Sequence, residues 1–84
     1  MTSRSEIIDV TKSVLSQMTR EEAEDIELPD RLNEDLGLDS MDAVDLVVDL
    51  KMELGVKFGS DDVEAVQTVS DIVERIQDKL DGSV

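Results

Sequence analysis

Apolar residues recur at helical spacing through most of this 84-residue chain, and this periodicity limits its possible folds more than any other feature. Near the N-terminus, Ile7, Val14 and Met18 fall on one face of a helix predicted over about residues 4–18. The same spacing predicts further helices over about residues 40–54, 60–66 and 69–80. No stretch alternates apolar and polar residues as a strand would, so the sequence predicts an all-α fold.

The residues at the ends of these segments are typical of helix starts and stops. Ser3, Asp39 and Thr68 stand at the starts of three of the segments, where a side-chain oxygen can accept a hydrogen bond from a free backbone N–H. Gly55 follows the second segment and is a good residue for its C-terminal stop. Gly82 marks the end of the last one. The periodicity and the end signals therefore agree with each other.

Residues 19–38 are acidic and lack a helical period. Leu28-Pro29 also disfavours helix at residue 28, so the segment is predicted to be a long loop with at most a short helical turn. Four leucines in it indicate that the loop packs down onto the helices: Leu28, Leu32, Leu36 and Leu38. We expect a single domain over residues 1–84, a four-helix bundle with three longer helices, a short third helix and a long first loop.

The composition limits what this domain can do. With 22 acidic and 8 basic residues, the formal net charge is −14, which repels nucleic acid and anionic membranes and attracts basic protein surfaces. The chain has no histidine and no cysteine, so it lacks the commonest general base, a thiol nucleophile and thiolate metal ligands. We therefore expect a chain that is not an enzyme and that has no catalytic residue or metal site of its own.

The hydropathy pattern gives no sign of a membrane segment. The apolar run from Val44 to Leu50 is interrupted by Asp45 and Asp49, so it cannot span a bilayer. Met1 to Glu6 is polar and lacks the apolar core of a signal peptide. A cytoplasmic, monomeric protein without membrane insertion is the resulting expectation.

The segment from Glu34 to Val47 carries the candidate site. Gly37 can turn the chain just before the second helix, and Ser40 then lies at the positive end of that helix with its hydroxyl exposed. A phosphodiester at this position would meet backbone N–H groups and a favourable dipole, although the nearby carboxylates oppose it. An isolated Asp-Ser pair is most often only a helix cap, so this segment needs its wider context.

That context is a family motif. Asp35-Leu36-Gly37-x-Asp39-Ser40-Met41 resembles the attachment motif D-L-G-x-D-S-L of the acyl carrier protein family, and the likeness is strongest over residues 32–76. Gly55, Phe58 and Thr68-Val69 also fall at family-like spacings. The resemblance implies a 4′-phosphopantetheine arm, taken from coenzyme A and attached covalently to Ser40 by a separate transferase. It also implies that the arm's thiol carries acyl groups as thioesters for fatty-acid, lipid or polyketide-type biosynthesis.

The resemblance also implies a partner surface along the second helix. Asp39 would help the phosphopantetheinyl transferase to recognise the site, while Met41, Val44 and Val48 would contact partner enzymes through their exposed apolar side chains. Acidic residues on the same helix would steer the carrier toward basic docking patches on transferases, ligases and synthases; these are Asp42, Asp45, Asp49 and Glu53. Asp39 could instead be only a dipole partner of the helix, the three apolar residues only core, and the acidic residues only a solvated face.

Some positions depart from the housekeeping fatty-acid carriers. Lys51, Met52 and Lys57 stand where those carriers are often acidic, and Gly59-Ser60 replaces a common Pro-Asp before the third helix. The attachment motif itself is intact. We therefore expect a specialised carrier, whose acyl group, pathway and loading enzymes the sequence does not identify. In the family an acyl chain can enter between the helices, and the aliphatic helix faces are compatible with that.

The sequence has four alternative interpretations. An aminoacyl or peptidyl carrier of nonribosomal-type synthesis would use the same serine and arm, so it is the nearest alternative. A calcium-binding protein is disfavoured because no segment has the EF-hand pattern of oxygen ligands with its glycine and final glutamate. A biotinyl or lipoyl carrier would present its lysine on a β-turn, whereas Lys51 falls in a predicted helix. An adaptor without a cofactor remains if Ser40 is never modified.

Overall fold

The computed structural model describes residues 3–81, and the regular secondary structure in this part of the chain is helical. Four α helices are present there: α1 Arg4–Met18, α2 Ser40–Leu54, α3 Ser60–Ala65 and α4 Val69–Leu80. A one-turn 3-10 helix, Ala23–Asp25, lies in the first loop. The predicted all-α bundle with a short third helix is confirmed. Gly82, the predicted stop after the last helix, and Met1 and Thr2 of the polar N-terminus lie outside the described residues.

Side-chain caps fix the starts of α1 and α4. The Ser3 hydroxyl accepts a hydrogen bond from the backbone N–H of Glu6 at 3.2 Å. At the start of α4, Thr68 Oγ1 accepts from the N–H of Asp71 at 3.1 Å, and Asp71 Oδ2 accepts from the N–H of Thr68 at 3.2 Å. Each bond satisfies a backbone donor that has no partner inside its helix, and such a cap is worth about 1 kcal/mol.

The core lies where α1 packs against α2 and α4. Its apolar side chains come from all three helices and from the loops between them. They are Ile7, Val14, Leu15, Ile26, Leu32, Leu38, Leu46, Leu50, Val56, Val69, Ile72, Val73 and Ile76. On α2 the buried residues are Leu46 and Leu50, whereas Val47 and Leu54 are only half-buried. The inner face of α2 is therefore centred on Leu46 and Leu50, and Leu54 packs against the edge of the core.

The first loop is attached to the bundle by apolar contacts and by backbone pairing. Leu32 and Leu38 are buried, and Leu28 and Leu36 pack against the core, as the leucine pattern predicted. The N–H of Leu32 donates to the carbonyl of Gln67 at 2.9 Å, and the N–H of Val69 donates to the carbonyl of Asp30 at 3.0 Å. These bonds flank an isolated antiparallel bridge between Arg31 and Thr68. The loop that leads to α2 is thus joined to the start of α4.

Helix α3 is shorter than predicted and has no fully buried residue. It ends at Ala65, one residue before the expected end, because Val66 adopts an extended backbone with φ −88° and ψ 130°. Val66 still packs against the core from that position. A helix of six residues is too short to be stable on its own, so its position depends on contacts with the rest of the molecule.

Candidate functional site

The start of α2 is held by two reciprocal side-chain bonds. Asp39 Oδ1 accepts from the N–H of Asp42 at 2.9 Å, and Asp42 Oδ2 accepts from the N–H of Asp39 at 3.1 Å. Asp39 has an extended backbone and Ser40 is the first helical residue. Two carboxylates that the sequence suggested for partner recognition therefore also have a structural task, which is to fix where α2 begins.

Ser40 is exposed at this junction, as its position in the sequence predicted. The chain approaches it through Gly37, whose φ of +70° is readily adopted only by glycine. Leu38 is buried, and its N–H donates to the carbonyl of Leu32 at 2.8 Å. A buried anchor two residues before Ser40 and a capped helix after it fix the backbone on both sides of an accessible hydroxyl.

A groove of about 780 Å³ opens beside Ser40, which is one of its lining residues together with Asp39. Its apolar wall is formed by α2, by α4, and by α3 with the loops that flank it. The apolar lining residues are Leu32, Leu38, Ala43, Leu46, Val47, Leu50, Phe58, Val63, Val66 and Ile72. Compared with small-molecule sites of roughly 300–1,000 Å³, this groove is large enough for an extended apolar chain.

Polar side chains from two loops complete the groove lining: Arg31, Asn33, Glu34 and Gln67. Arg31 donates from Nη1 to Glu34 Oε2, and this hydrogen bond, together with the charge of Glu34, raises the pKa of the guanidinium above its usual value. Both side chains are largely exposed, so the ion pair contributes little to stability. The groove thus combines an apolar wall with a polar rim.

One face of α2 exposes large apolar side chains at helical spacing. Met41 is 77% exposed, Val44 56% and Val48 49%, so all three lie on the outer surface and not in the core. Met52 extends this row by one further turn and is 80% exposed. Exposed apolar residues in a row are typical of interaction surfaces.

Charged side chains lie along the same helix and in the segment that follows it. Asp45 and Glu53 are exposed, while Asp42 and Asp49 are half-buried. Lys51 and Lys57, the basic departures from the family pattern, are both exposed. The structure therefore brings the predicted apolar and acidic residues together on one helix, with Lys51 beside Met52.

A second charged group involves α3 and α4. Asp62 Oδ1 accepts from Arg75 Nη1 at 3.0 Å, and Asp62 Oδ2 lies 2.9 Å from Lys79 Nζ. The N–H of Gly59 also donates to Asp62 Oδ2 at 2.9 Å. The bond from Gly59, followed by that from Lys79 and the charges of both cations, lowers the pKa of Asp62, while partial burial opposes the shift.

Reasoning from the sequence missed this group and the polar rim. In the sequence, Asp62 only suits the N-terminal dipole of α3, and its neighbours do not mark Arg75 or Lys79 as its partners. The signal was present, because residues spaced by four lie on the same side of a helix and two cations at that spacing attract an anion. Nothing in the sequence placed Arg31, Asn33 or Gln67 at the groove.

A metal site and a membrane-spanning helix are both absent from the described residues, 3–81. There, no three histidine, cysteine, aspartate or glutamate side chains come close enough together to hold a metal ion. None of the described helices combines the length and the apolar character needed to cross a bilayer.

These features define a class of protein. It is a helical bundle in which an exposed serine, Ser40, lies at a helix start beside an apolar groove, as a protein that carries a covalently attached group would have it. Residues 9–76 match the family model described as "Phosphopantetheine attachment site", and the chain belongs to that family.

Two curated relatives extend this finding. An acyl carrier protein of Thermotoga maritima is 42% identical over 80 residues, which cover 95% of this chain and 99% of the relative. An acyl carrier protein of Coprothermobacter proteolyticus is 32% identical over 77 residues, which cover 92% of this chain and 94% of the relative.

The comparisons support an acyl carrier role with 4′-phosphopantetheine as the prosthetic group, and they do not favour the aminoacyl or peptidyl alternative. They support a carrier and not an enzyme. Carriers of this family interact with phosphopantetheinyl transferases and synthases.

Proposed function

We propose that Ser40 bears the 4′-phosphopantetheine arm and that this chain, working as one domain, carries acyl groups between partner enzymes. The observation that carries the proposal is the exposed position of Ser40 at the start of α2, beside an apolar groove and inside the matched region 9–76. Ser40 also stands in the motif Asp35 to Met41 that resembles the family's attachment site.

The start of α2 suits a phosphodiester. The first N–H groups of a helix and its dipole favour an anion close to the N-terminus. The Asp39–Asp42 capping box fixes that helix start, so the hydroxyl is presented from a defined backbone. The same carboxylates repel an anion, and the net effect is an accessible site without a strong phosphate-binding pocket.

The residues around the groove fit the rest of the arm and its cargo. When attached, the arm supplies a terminal thiol that holds the acyl group, and this chain has no cysteine that could do so. The polar rim offers amide and guanidinium donors from Asn33, Gln67 and Arg31 to a polar linker. The apolar wall of α2 and α4 can shelter an aliphatic chain from water, which is favourable by about 0.8 kcal/mol for each buried CH₂.

The outer face of α2 is the proposed partner surface. Met41, Val44 and Val48 would pack on apolar patches of partner enzymes, while Asp39, Asp42, Asp45 and Asp49 would face their basic residues. The partners would be a phosphopantetheinyl transferase, an acyl-loading ligase or transferase, and synthases. The carrier would act as a monomer in the cytoplasm, away from nucleic acid.

The residues that depart from the family pattern at the end of α2 bear on which partner enzymes this carrier binds. Lys51 and Met52 are exposed at the end of the same α2 surface, where housekeeping carriers are often acidic. A partner surface that suits an all-acidic helix would meet a positive charge here. This supports a specialised carrier.

The decisive experiment measures the intact mass of the chain after incubation with coenzyme A, Mg²⁺ and a broad-specificity transferase. The unmodified sequence should gain the mass of one arm, and a peptide map should place it on Ser40. Ser40→Ala should abolish the gain while its circular dichroism stays unchanged. Ser60→Ala is the matched control, because Ser60 is also exposed at the first position of a helix. Retained loading of Ser40→Ala would overturn the assignment.

A further inference from the structure

Helix α3 forms part of the groove although it is weakly held by apolar contacts. Val63 of α3 and Phe58, just before it, both line the groove. No residue of α3 is fully buried. The position of this wall must therefore come from other interactions, since so short a helix has little stability of its own.

Those interactions converge on one carboxylate. Asp62 binds Arg75 through Oδ1 at 3.0 Å and Lys79 through Oδ2 at 2.9 Å, and both cations belong to α4. Asp62 Oδ2 also accepts from the N–H of Gly59, which ties the turn before α3 to the same group. The name Asp62 cluster is used below for Asp62, Arg75 and Lys79.

Lys79 has a second contact that extends the cluster to the groove wall. Its Nζ lies 5.6 Å from the centre of the Phe58 ring, within the distance of a cation–π interaction. Phe58 is the chain's only phenylalanine, and its ring is half-buried. One ammonium group therefore holds both Asp62 of α3 and the aromatic side chain beside it.

The cluster is more than an exposed ion pair. The Asp62 side chain is only 14% exposed, against 43% for Arg75 and 33% for Lys79. An isolated surface pair contributes little, but a sheltered carboxylate shared by two cations and a backbone donor forms a network. Loss of the carboxylate would remove the links from α3 to both cations of α4 at once.

We propose that the Asp62 cluster holds α3 and Phe58 against α4 as the movable wall of the groove, and so controls how far a bound acyl chain is sheltered. Asp62, Arg75 and Lys79 are positioning residues, since they act through the wall and not on the cargo. The part of this inference that concerns cargo rests on the proposed acyl carrier function. The part that concerns the wall can be tested without any cargo.

The first test uses the unloaded protein and hydrogen exchange of backbone amides. Asp62→Asn should raise the exchange rates of the α3 amides several-fold, while those of Ile7 and Leu15 in α1 should stay close to wild type. Asp61→Asn is the matched control, because it removes the same charge from the same turn of α3 but no ion pair. Equal α3 exchange in the two variants would overturn the proposal.

Lys79→Gln is the second variant and guards against a folding defect in Asp62→Asn. It leaves the N-terminal turn of α3 intact but removes the contacts to Asp62 and to Phe58. It should also raise exchange in α3. Lys51→Gln, at an exposed site in α2, should not.

The second test loads Ser40 with a medium-length acyl arm and follows cleavage of the thioester by hydroxylamine. Asp62→Asn should be cleaved several-fold faster than wild type, because its cargo is less sheltered, whereas Asp61→Asn should match wild type. If no variant accepts the arm, the proposed function is wrong. The hydrogen-exchange test still applies in that case, because it uses the unloaded protein. Normal loading with equal cleavage in both variants would overturn the role of the cluster in sheltering cargo.

Discussion

Thr11 is a polar residue inside the core of α1. Its side chain is fully buried, and its Oγ1 has no hydrogen-bond partner among the described residues. A buried hydroxyl without a partner retains its desolvation cost, which is about 1–3 kcal/mol. The Thr11 hydroxyl therefore lowers the stability of the fold, and an apolar side chain of similar shape would remove this cost.

We expect Thr11→Val to raise the free energy of unfolding by about 1 kcal/mol, since it replaces the unpartnered hydroxyl with a methyl group of similar size. Urea denaturation followed by circular dichroism measures this. Thr19→Val is the matched control and should be destabilising, because Thr19 Oγ1 donates to the carbonyl of Leu15 and accepts from the N–H of Glu21. A less stable Thr11→Val would mean that the hydroxyl has a useful partner.

Asp62 should make the stability of the fold depend on pH. Its folded-state pKa lies below the ordinary 3.8, so its contribution is fully present above that value and is lost as pH falls through the folded pKa. Arg75 and Lys79 are the charged groups that face it. Wild type should therefore exceed Asp62→Asn in unfolding free energy at pH 7.

The measurement is urea denaturation of both proteins at neutral pH and at steps below about pH 4. The difference between them isolates Asp62 from the other carboxylates, which both proteins share. It should shrink as the pH falls. A difference that stays constant down to about pH 2 would show that the charge of Asp62 does not stabilise the fold.

At the scale of single elements, Gly55 sets the end of α2. Its φ is +70° and its N–H donates to the carbonyl of Lys51 at 2.8 Å. A Cβ added here would meet no atom within 4 Å, so any cost of substitution comes from the backbone conformation alone. Gly55→Ala should lower the free energy of unfolding by about 1–2 kcal/mol. Gly55→Asn should lose less, since asparagine tolerates this conformation better, and thermal unfolding of both variants would show whether the order is reversed.

An element could be predicted from the sequence where the residues that determine it are close together in the chain. The helix faces and the caps at Ser3, Asp39 and Thr68 follow from neighbours within four residues, and the structure agrees with them. The early end of α3 at Ala65 and the α3–α4 links do not follow. The Arg75–Asp62 bond joins residues 13 apart in sequence, and only the packed fold brings them together.

The candidate site divides in the same way. The exposed Ser40 at a capped helix start was visible in the local motif, and so was the apolar row of α2. The groove was not, because its lining combines three loops with three helices. Periodicity assigns a residue to a face but cannot tell a filled interface from an open groove.

At the scale of the whole molecule, the net charge of −14 on 84 residues sets the response to salt. Mutual repulsion destabilises the compact state, and added salt screens it. We expect the free energy of unfolding to rise by about 1 kcal/mol between low salt and about 0.5 M NaCl. A variant with Glu21→Gln, Glu24→Gln and Glu27→Gln should gain less, because these exposed loop residues add to the repulsion. An equal gain in both proteins would indicate a salt effect unrelated to charge.

The same charge should govern encounters with basic enzymes. Asp45→Asn with Asp49→Asn should slow association with the transferase several-fold at low salt, and the difference should fade as salt increases. Stopped-flow fluorescence would measure the rate. The pair Glu24→Gln and Glu27→Gln removes equal charge outside α2 and should slow association less. Equal slowing would mean that total charge matters and its placement on α2 does not.

The backbone pairing of the first loop links two distant parts of the chain. Leu38, just before Ser40, donates to Leu32, which in turn donates to Gln67 at the groove rim. A shift of the backbone next to Ser40 would therefore be passed to Gln67, at the polar rim of the groove, through only two backbone hydrogen bonds. When a partner enzyme is titrated onto the carrier, the amide signals of Leu32 and Val69 should shift in nuclear magnetic resonance spectra, although neither residue contacts the partner.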